Sequence, residues 1–165
     1  MDPDINLRDL YAASAGRLVA QVYGMTGDFA ESQDAVQEAF ARALNRPAGL
    51  GDVDNPEAWL FRVASNVARS RHRRRVVFDR MVRSGRLREV ADTPALSPDH
   101  VALVAALQQL PRATREAVVL HHLADRPVTE VADILGISVA SVKTRLLRGR
   151  RALAEHLGEK EDTNA

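Results

Sequence analysis

The sequence predicts an all-α protein: two small helical domains joined by a flexible linker, the second a helix-turn-helix. Three observations carry this. Aromatic residues make up only 4 % of the 165 residues, so the core must be mostly Ala, Val and Leu, whereas strands favour aromatic and β-branched side chains. Nearly every segment repeats its apolar residues at helical spacing, and no alternating pattern of useful length appears. A turn-rich stretch, 79–98, divides the periodic segments into two groups. With 45 % apolar and 27 % charged residues the composition is globular.

The first helix is read at roughly 6–24, with Leu7, Leu10, Tyr11, Leu18 and Val22 as core and Gly24 and Gly27 marking its break. A second begins between Asp28 and Ser32 and reaches about Leu44, with Val36, Phe40, Ala43 and Leu44 inward. Asn45 to Asp54 is a loop carrying Pro47, Gly49 and Gly51. Asn55-Pro56-Glu57 starts a third helix with an N-cap residue, a first-turn proline and an early acid, and this helix runs to about Arg75. Trp59, Leu60, Val63 and Val67 are its buried stripe. The linker, 78–98, is partly helical near Phe78 to Arg86 and contains Ser84-Gly85, Asp92-Thr93-Pro94 and Ser97-Pro98. Further helices are expected at about 99–109, 112–123, 129–135 and 139–156. The domains are thus 1–77 and 99–157, followed by a tail, 158–165.

The net charge of +1 conceals a segregated pattern. Residues 1–58 sum to −6, 62–88 to +9, 89–142 to −4, 143–151 to +5 and 152–165 to −3. Two basic blocks between acidic stretches fit two contacts with a polyanion, or two solvated arginine-rich faces. Arginine outnumbers lysine 21 to 2, a bias that carries no weight for phosphate binding. The absence of cysteine excludes disulfides, thiol catalysis and cysteine-based metal sites. No apolar run approaches the ~20 residues of a membrane span. Met1-Asp2-Pro3-Asp4 lacks the character of a signal peptide, so a cytoplasmic protein without membrane insertion is expected. The five histidines show no metal-ligand spacing, and there is no nucleophile motif or phosphate-binding loop. The expectation is a non-enzyme with no catalytic residue, metal or cofactor. His121-His122 are read as ending a helix, where the dipole suits them.

Within 128–138, Ala132 is small enough for a close helix crossing, Gly136 suits a left-handed helix end, Ile137 plugs the corner and Ser138 caps the next helix. This is the layout of a helix-turn-helix. At ~100° per residue, Val139, Val142, Leu146, Gly149 and Leu153 form one stripe of the following helix. Ser141, Thr144, Arg145 and Arg148 form another face, with Arg151 at its border. Arginine reads guanine bidentately or binds phosphate, and hydroxyls do either less specifically. In the third helix Arg62, Asn66, Arg69 and Arg73 recur at i, i+4, i+7 and i+11 and share a face. That stripe fits DNA contact, or a basic helix end complementing the macrodipole. The second helix presents Asp34, Gln37, Glu38 and Asn45 outward, a polar face unsuited to DNA. Residue types alone favour plain solvated surface over a docking face there.

These residues resemble a known family. Gly27 to Phe40, with its aspartate, glutamine and following phenylalanine, is similar to region two of bacterial sigma factors. Trp59-Leu60-Phe61-Arg62-Val63-Ala64-Ser65-Asn66 and the arginines after it resemble that region's end. Leu110 to Glu116 and Gly136 to Arg150 resemble region four. The two blocks in this order, with a short linker and no intervening domain, resemble the extracytoplasmic-function (ECF) sigma factors over roughly 5–76 and 99–157. The chain departs from the pattern at Ser65, where arginine is frequent, at Ser70, where aspartate is frequent, and at Ser32-Gln33, which replaces Ala-Glu. The spacing is intact.

The resemblance implies a transcription-initiation factor that binds core RNA polymerase through its β′ and β subunits and recognises promoter DNA. It turns the face of Asp34, Gln37 and Glu38 into a dock for the β′ clamp helices. It assigns −10 recognition and strand holding to the loop from Gly49 to Asn55 and to Arg62, Asn66, Arg69 and Arg73. Reading of −35 falls to Ser141, Lys143, Thr144, Arg145 and Arg148. The linker would run through the RNA exit path, and an anti-sigma protein is an expected partner. The competing reading is a two-domain helix-turn-helix regulator acting without polymerase, which gives no reason for the acidic face or the Asn66 stripe.

Overall fold

A computed structural model describes residues 6–82 and 97–163, with side chains through Met81 in the first stretch and Gly158 in the second. The chain divides into two compact units, Met1–Pro94 and Ala95–Ala165. The described residues form seven α-helices and one π-helical turn, with no strand among them.

In the first unit, α1 (Leu7–Thr26), α2 (Phe29–Leu44) and α3 (Pro56–Val82) pack pairwise. Each helix starts on a side-chain cap: Asn6 accepts from the Arg8 amide, Asp28 from Glu31, and Asn55 from Ala58, each at 3.0 Å. Gly24 lies inside α1, which ends instead at Gly27, whose φ of 67° is the left-handed cap. The core comprises Leu18, Val22, Ala35, Val36, Ala39, Phe40, Leu60, Phe61, Ala64, Val67 and Ala68.

Several expected core positions differ. Leu44, the last residue of α2, is 73 % exposed, beyond the turns that neighbouring helices cover. Tyr11 is 46 % exposed because the small residues beside it, Ala12, Ala15 and Gly16, leave an open cleft; one side of its ring meets Phe40 edge-on at 4.9 Å. In α3 the buried stripe is Leu60, Phe61, Ala64 and Val67, with Trp59 and Val63 half-buried. The helix also continues past Arg75 to Val82, into the segment read as linker. Residues 76–82 carry one arginine among Val, Phe and Met, and the helix expected near Phe78 is continuous with the one expected to end at Arg75. The rest of that linker, 83–96, lies outside the described residues.

In the second unit, α4 (Pro98–Gln108) starts on Ser97, whose hydroxyl accepts from the His100 amide at 3.3 Å. α5 (Arg112–Val118) runs directly into the π-helical turn Val119–Leu123, so the helix expected through 123 changes pitch. The Ala124 amide donates to Val119 five residues back. The two histidines lie in this turn, their rings edge-on at 4.8 Å, with His121 Nδ1 2.8 Å from the Arg126 carbonyl. α6 (Val128–Leu135) and α7 (Val139–Thr163) follow, and α7 extends past 158 into the stretch read as a tail.

Candidate nucleic-acid interface

The corner between α6 and α7 is built from local bonds. Gly136 adopts φ 66° and its amide caps toward Ala132, whose carbonyl also accepts from Ile137 at 3.1 Å. Ser138 Oγ accepts from the Ser141 amide at 3.1 Å and starts α7. Val131, Val142 and Leu146 are buried, and Gly149 is buried where α7 crosses α5. A Cβ at Gly149 would fall inside van der Waals distance of Val118 Cγ2 and 3.1 Å from Thr114 Cγ2. Val139 belongs to the expected apolar stripe but is 36 % exposed, at the open first turn of α7.

With Val142, Leu146 and Gly149 buried and Leu153 half-buried, Ser141, Lys143, Thr144 and Arg148 are exposed, and Arg145 is half-buried. Ser141 Oγ lies 2.9 Å from the Ser138 hydroxyl, and the Thr144 hydroxyl donates to the Ala140 carbonyl at 3.1 Å. Both hydroxyl groups are thereby oriented by their own helix. Ser141, Thr144, Arg145 and Arg148 share one outward polar face of α7, whereas Lys143, also exposed, lies about 160° around the helix from Arg145.

In the first unit, Arg62, Asn66 and Arg73 are exposed on α3 and Arg69 is half-buried. Arg73 Nη2 lies 3.5 Å from Ser70 Oγ. Asn55 is spent in part, since its Oδ1 caps α3 and leaves its amide NH2 outward-facing chemistry. Ser65, one residue before Asn66, is fully buried, and its hydroxyl has no hydrogen-bond partner among the described residues.

The loop before α3 is held by a residue that sequence reasoning missed. Arg46 Nη1 donates to the Gly49 carbonyl at 2.7 Å and to Asp52 Oδ1 at 2.6 Å, while Nη2 donates to Asp52 Oδ2 at 2.9 Å. The same guanidinium sits 5.8 Å from the Trp59 ring centroid. Its hydrogen bonds hold the Asp52 carboxyl below the usual carboxylate range. Gly49 takes φ 56°, and Leu50 is buried beneath the loop. A basic and an acidic residue six apart, flanking glycines, was the only available signal.

The opposite side of α3 is not free for nucleic acid. Arg75 contacts the nearly buried carboxylate of Glu31 at 2.5 Å and lies 3.9 Å from Asp28; Arg71 lies 3.9 Å from Asp34. The run of arginines therefore splits between an outward stripe and an internal brace against α2. On α2, Gln37 and Asp34 are exposed, and Glu38 is half-buried with Arg42 at 3.1 Å. The three expected docking residues thus share one accessible face, with Asp34 also facing the brace.

Comparison with known proteins agrees with both halves. Residues 10–76 match the family described as sigma-70 region 2, and residues 100–153 match sigma-70 region 4. The chain is 32 % identical over 158 residues to the ECF RNA polymerase sigma factor SigL of Mycobacterium tuberculosis, spanning 93 % of this chain and 89 % of that protein. It is 30 % identical over 155 residues to ECF RNA polymerase sigma factor SigW of Bacillus subtilis, spanning 82 % and 80 %. Among solved structures it shares the fold of the sigma factor RpoE in complex with the anti-sigma factor NepR from Bartonella quintana, with TM-score 0.78, 24 % identity and coverage of 92 % and 96 %. CnrH, solved with the cytosolic domain of CnrY, has TM-score 0.61 at 24 % identity, covering 93 % and 88 %.

Proposed function

The chain belongs to the ECF sigma factors of the sigma-70 family, and from that membership we propose how its surfaces divide the work of directing transcription initiation. The α2 face of Asp34, Gln37 and Glu38 docks on the core polymerase β′ subunit. The bracketed loop with Asn55, and the α3 stripe of Arg62, Asn66, Arg69 and Arg73, hold the −10 element. On α7 the face of Ser141, Thr144, Arg145 and Arg148, together with Lys143 farther round the helix, reads the −35 element in the major groove. The observation that supports this division is the presence of three outward polar faces, on α2 and α3 of the first unit and on α7 of the second, each on a helix whose other side is packed in its unit's core.

The chemistry of each face suits its task. Asn66 offers an amide for a base edge, and the flanking guanidiniums hold the backbone with strong salt dependence. Holding a base lifted from the stack costs a few kcal/mol of unstacking, which a preformed loop helps to offset. The protein acts by binding rather than by catalysing a reaction, as a cytoplasmic subunit of polymerase. Among the described residues no helix is long and apolar enough to cross a membrane, and no His, Asp and Glu cluster could hold a metal ion. By analogy with the RpoE complex, an anti-sigma protein is its expected antagonist. A helix-turn-helix regulator acting alone accounts for region 4 but leaves region 2 unexplained.

The test is run-off transcription with core polymerase on the promoter of the chain's own operon, with permanganate mapping of −10 thymines. Asn66→Ala should reduce opening of the duplex promoter, and a template mismatched across −10 should partly restore it. Polymerase binding should be unchanged. Opening at parental level on the duplex would remove Asn66 from the melting role.

A further inference from the structure

The two carboxylates that the docking face of α2 offers are already held by cations of this chain. Glu38 Oε1 accepts from Arg42 Nε at 3.1 Å, one helical turn on. Asp34 Oδ2 lies 3.9 Å from Nη1 of Arg71, which reaches across from α3. One guanidinium thus comes from the same helix and the other from its neighbour. Neither pair is buried: the Asp34 and Arg71 side chains are 65 % and 38 % exposed, those of Glu38 and Arg42 41 % and 57 %. Ion pairs this open are weak and exchange readily. The next rung of the α2–α3 brace differs, because the Glu31 carboxylate beneath Arg75 is only 8 % exposed and belongs to the packing.

The displaceable pairs therefore sit on the residues that dock, and the fixed pair does not. Asp34 and Glu38 are four residues apart, so their side chains are neighbours on one side of α2. A cation approaching an open acidic face would form a new ion pair. Here it can only replace one that exists. We infer that Arg42 and Arg71 are internal counterions that mask the docking face, and that polymerase docks by displacing them from Glu38 and Asp34. The masking rests on the docking role given to this face above. Its consequence is selectivity. A lone lysine or arginine of an unrelated protein exchanges one pair for an equivalent one. A partner that holds two cations at the spacing of Asp34 and Glu38 displaces both guanidiniums in one event, and its contacts around Gln37 supply the surplus.

Titration of the fluorescently labelled full chain with core polymerase, repeated over a salt series, tests this. Arg42→Gln and Arg71→Gln each remove one mask and keep a good helix former. Each should tighten docking by about two- to fivefold, the range that exposed ion pairs carry, and the double variant by the product of the two. Docking of the variants should also weaken more steeply with salt, because it then creates ion pairs instead of exchanging them. The Asp34→Asn/Glu38→Gln protein should dock more weakly than the parent, and in that background the arginine substitutions should change nothing. Unchanged docking of the arginine variants overturns the masking, as does a shift in melting without a shift in affinity. Weaker docking also overturns it and assigns the guanidiniums to the polymerase contact itself. A gain that persists without the two carboxylates overturns it too, since net charge then accounts for the effect. If the Asp34→Asn/Glu38→Gln protein docks as the parent does, the docking role of α2 falls and the masking falls with it.

Discussion

Replacing Gly149 with alanine sets two effects of known sign against each other. In a helix interior alanine is favoured over glycine by about 1 kcal/mol. At Gly149 the added methyl meets Val118 Cγ2 closer than Cβ atoms are found to pack, with Thr114 Cγ2 at 3.1 Å. Val118 is 2 % exposed and β-branched, so it cannot swing aside without leaving its rotamer. Overpacking of this kind costs about 1–3 kcal/mol, which leaves a net loss of up to about 2 kcal/mol after the gain in propensity. For a unit of this size each kcal/mol lowers Tm by roughly 4–8 °C. Thermal and urea unfolding followed by circular dichroism should therefore show the second unit melting lower than the parent, by up to several degrees. Gly16→Ala is the matched control: nothing lies within 4 Å of a Cβ there, so it should stabilise the first unit. In the double variant with Val118→Ala, the clash should disappear as a favourable coupling energy. A Gly149→Ala protein more stable than the parent by the full propensity gain of about 1 kcal/mol would show that the α5–α7 crossing is not tight, and with it the seating of the α7 face.

The other expectations concern binding and pH. Arg148→Ala should cost about 1–3 kcal/mol on −35 DNA, concentrated at one or two base positions, if its guanidinium reads a base; an even loss across sequences, measured by titrating single-base variants, assigns it to phosphate. Asp34→Arg with Glu38→Arg should weaken core polymerase binding in a pull-down while helicity holds; unchanged affinity removes the docking role. His122 has its pKa lowered by burial and by the nearby charges of His121 and Arg150. The unfolded chain then binds more protons than the folded one just below the ordinary histidine value of about 6.5. Stability of the second unit should be complete above that value and fall as pH drops through it. Urea midpoints at neutral and mildly acid pH should show this, and His122→Gln should flatten the difference.

What the sequence made legible was whatever is written locally. Asn55-Pro56, Gly136 and Ser138 announce helix ends because the capping atoms lie within three residues of the amides they serve. The outward faces of α3 and α7 follow from spacing alone. The exposure of Leu44 and Tyr11 was not legible, because period fixes a direction and not how far the neighbouring helix extends. The π-helical turn was hidden since a five-residue change of pitch leaves the apolar rhythm almost intact. Division of the arginines was hidden too: Arg75 differs from Arg73 only in facing Glu31, a residue 44 positions away. Ser65 is polar by type and buried by position, and nothing in its neighbours announces it.

If the loop from Gly49 to Asn55 holds the −10 element as proposed, the Arg46 bracket bears on promoter opening. A loop that must be ordered at the promoter loses conformational entropy there, at roughly 1–2 kcal/mol for each residue fixed. Here Arg46 ties Gly49 and Asp52 into one conformation within the folded protein, and the Trp59 ring carries that conformation onto α3. The ordering is completed once, when the chain folds, and every promoter encountered afterwards meets a surface already set. On that proposed role, the loop adds little rearrangement of its own to the opening step.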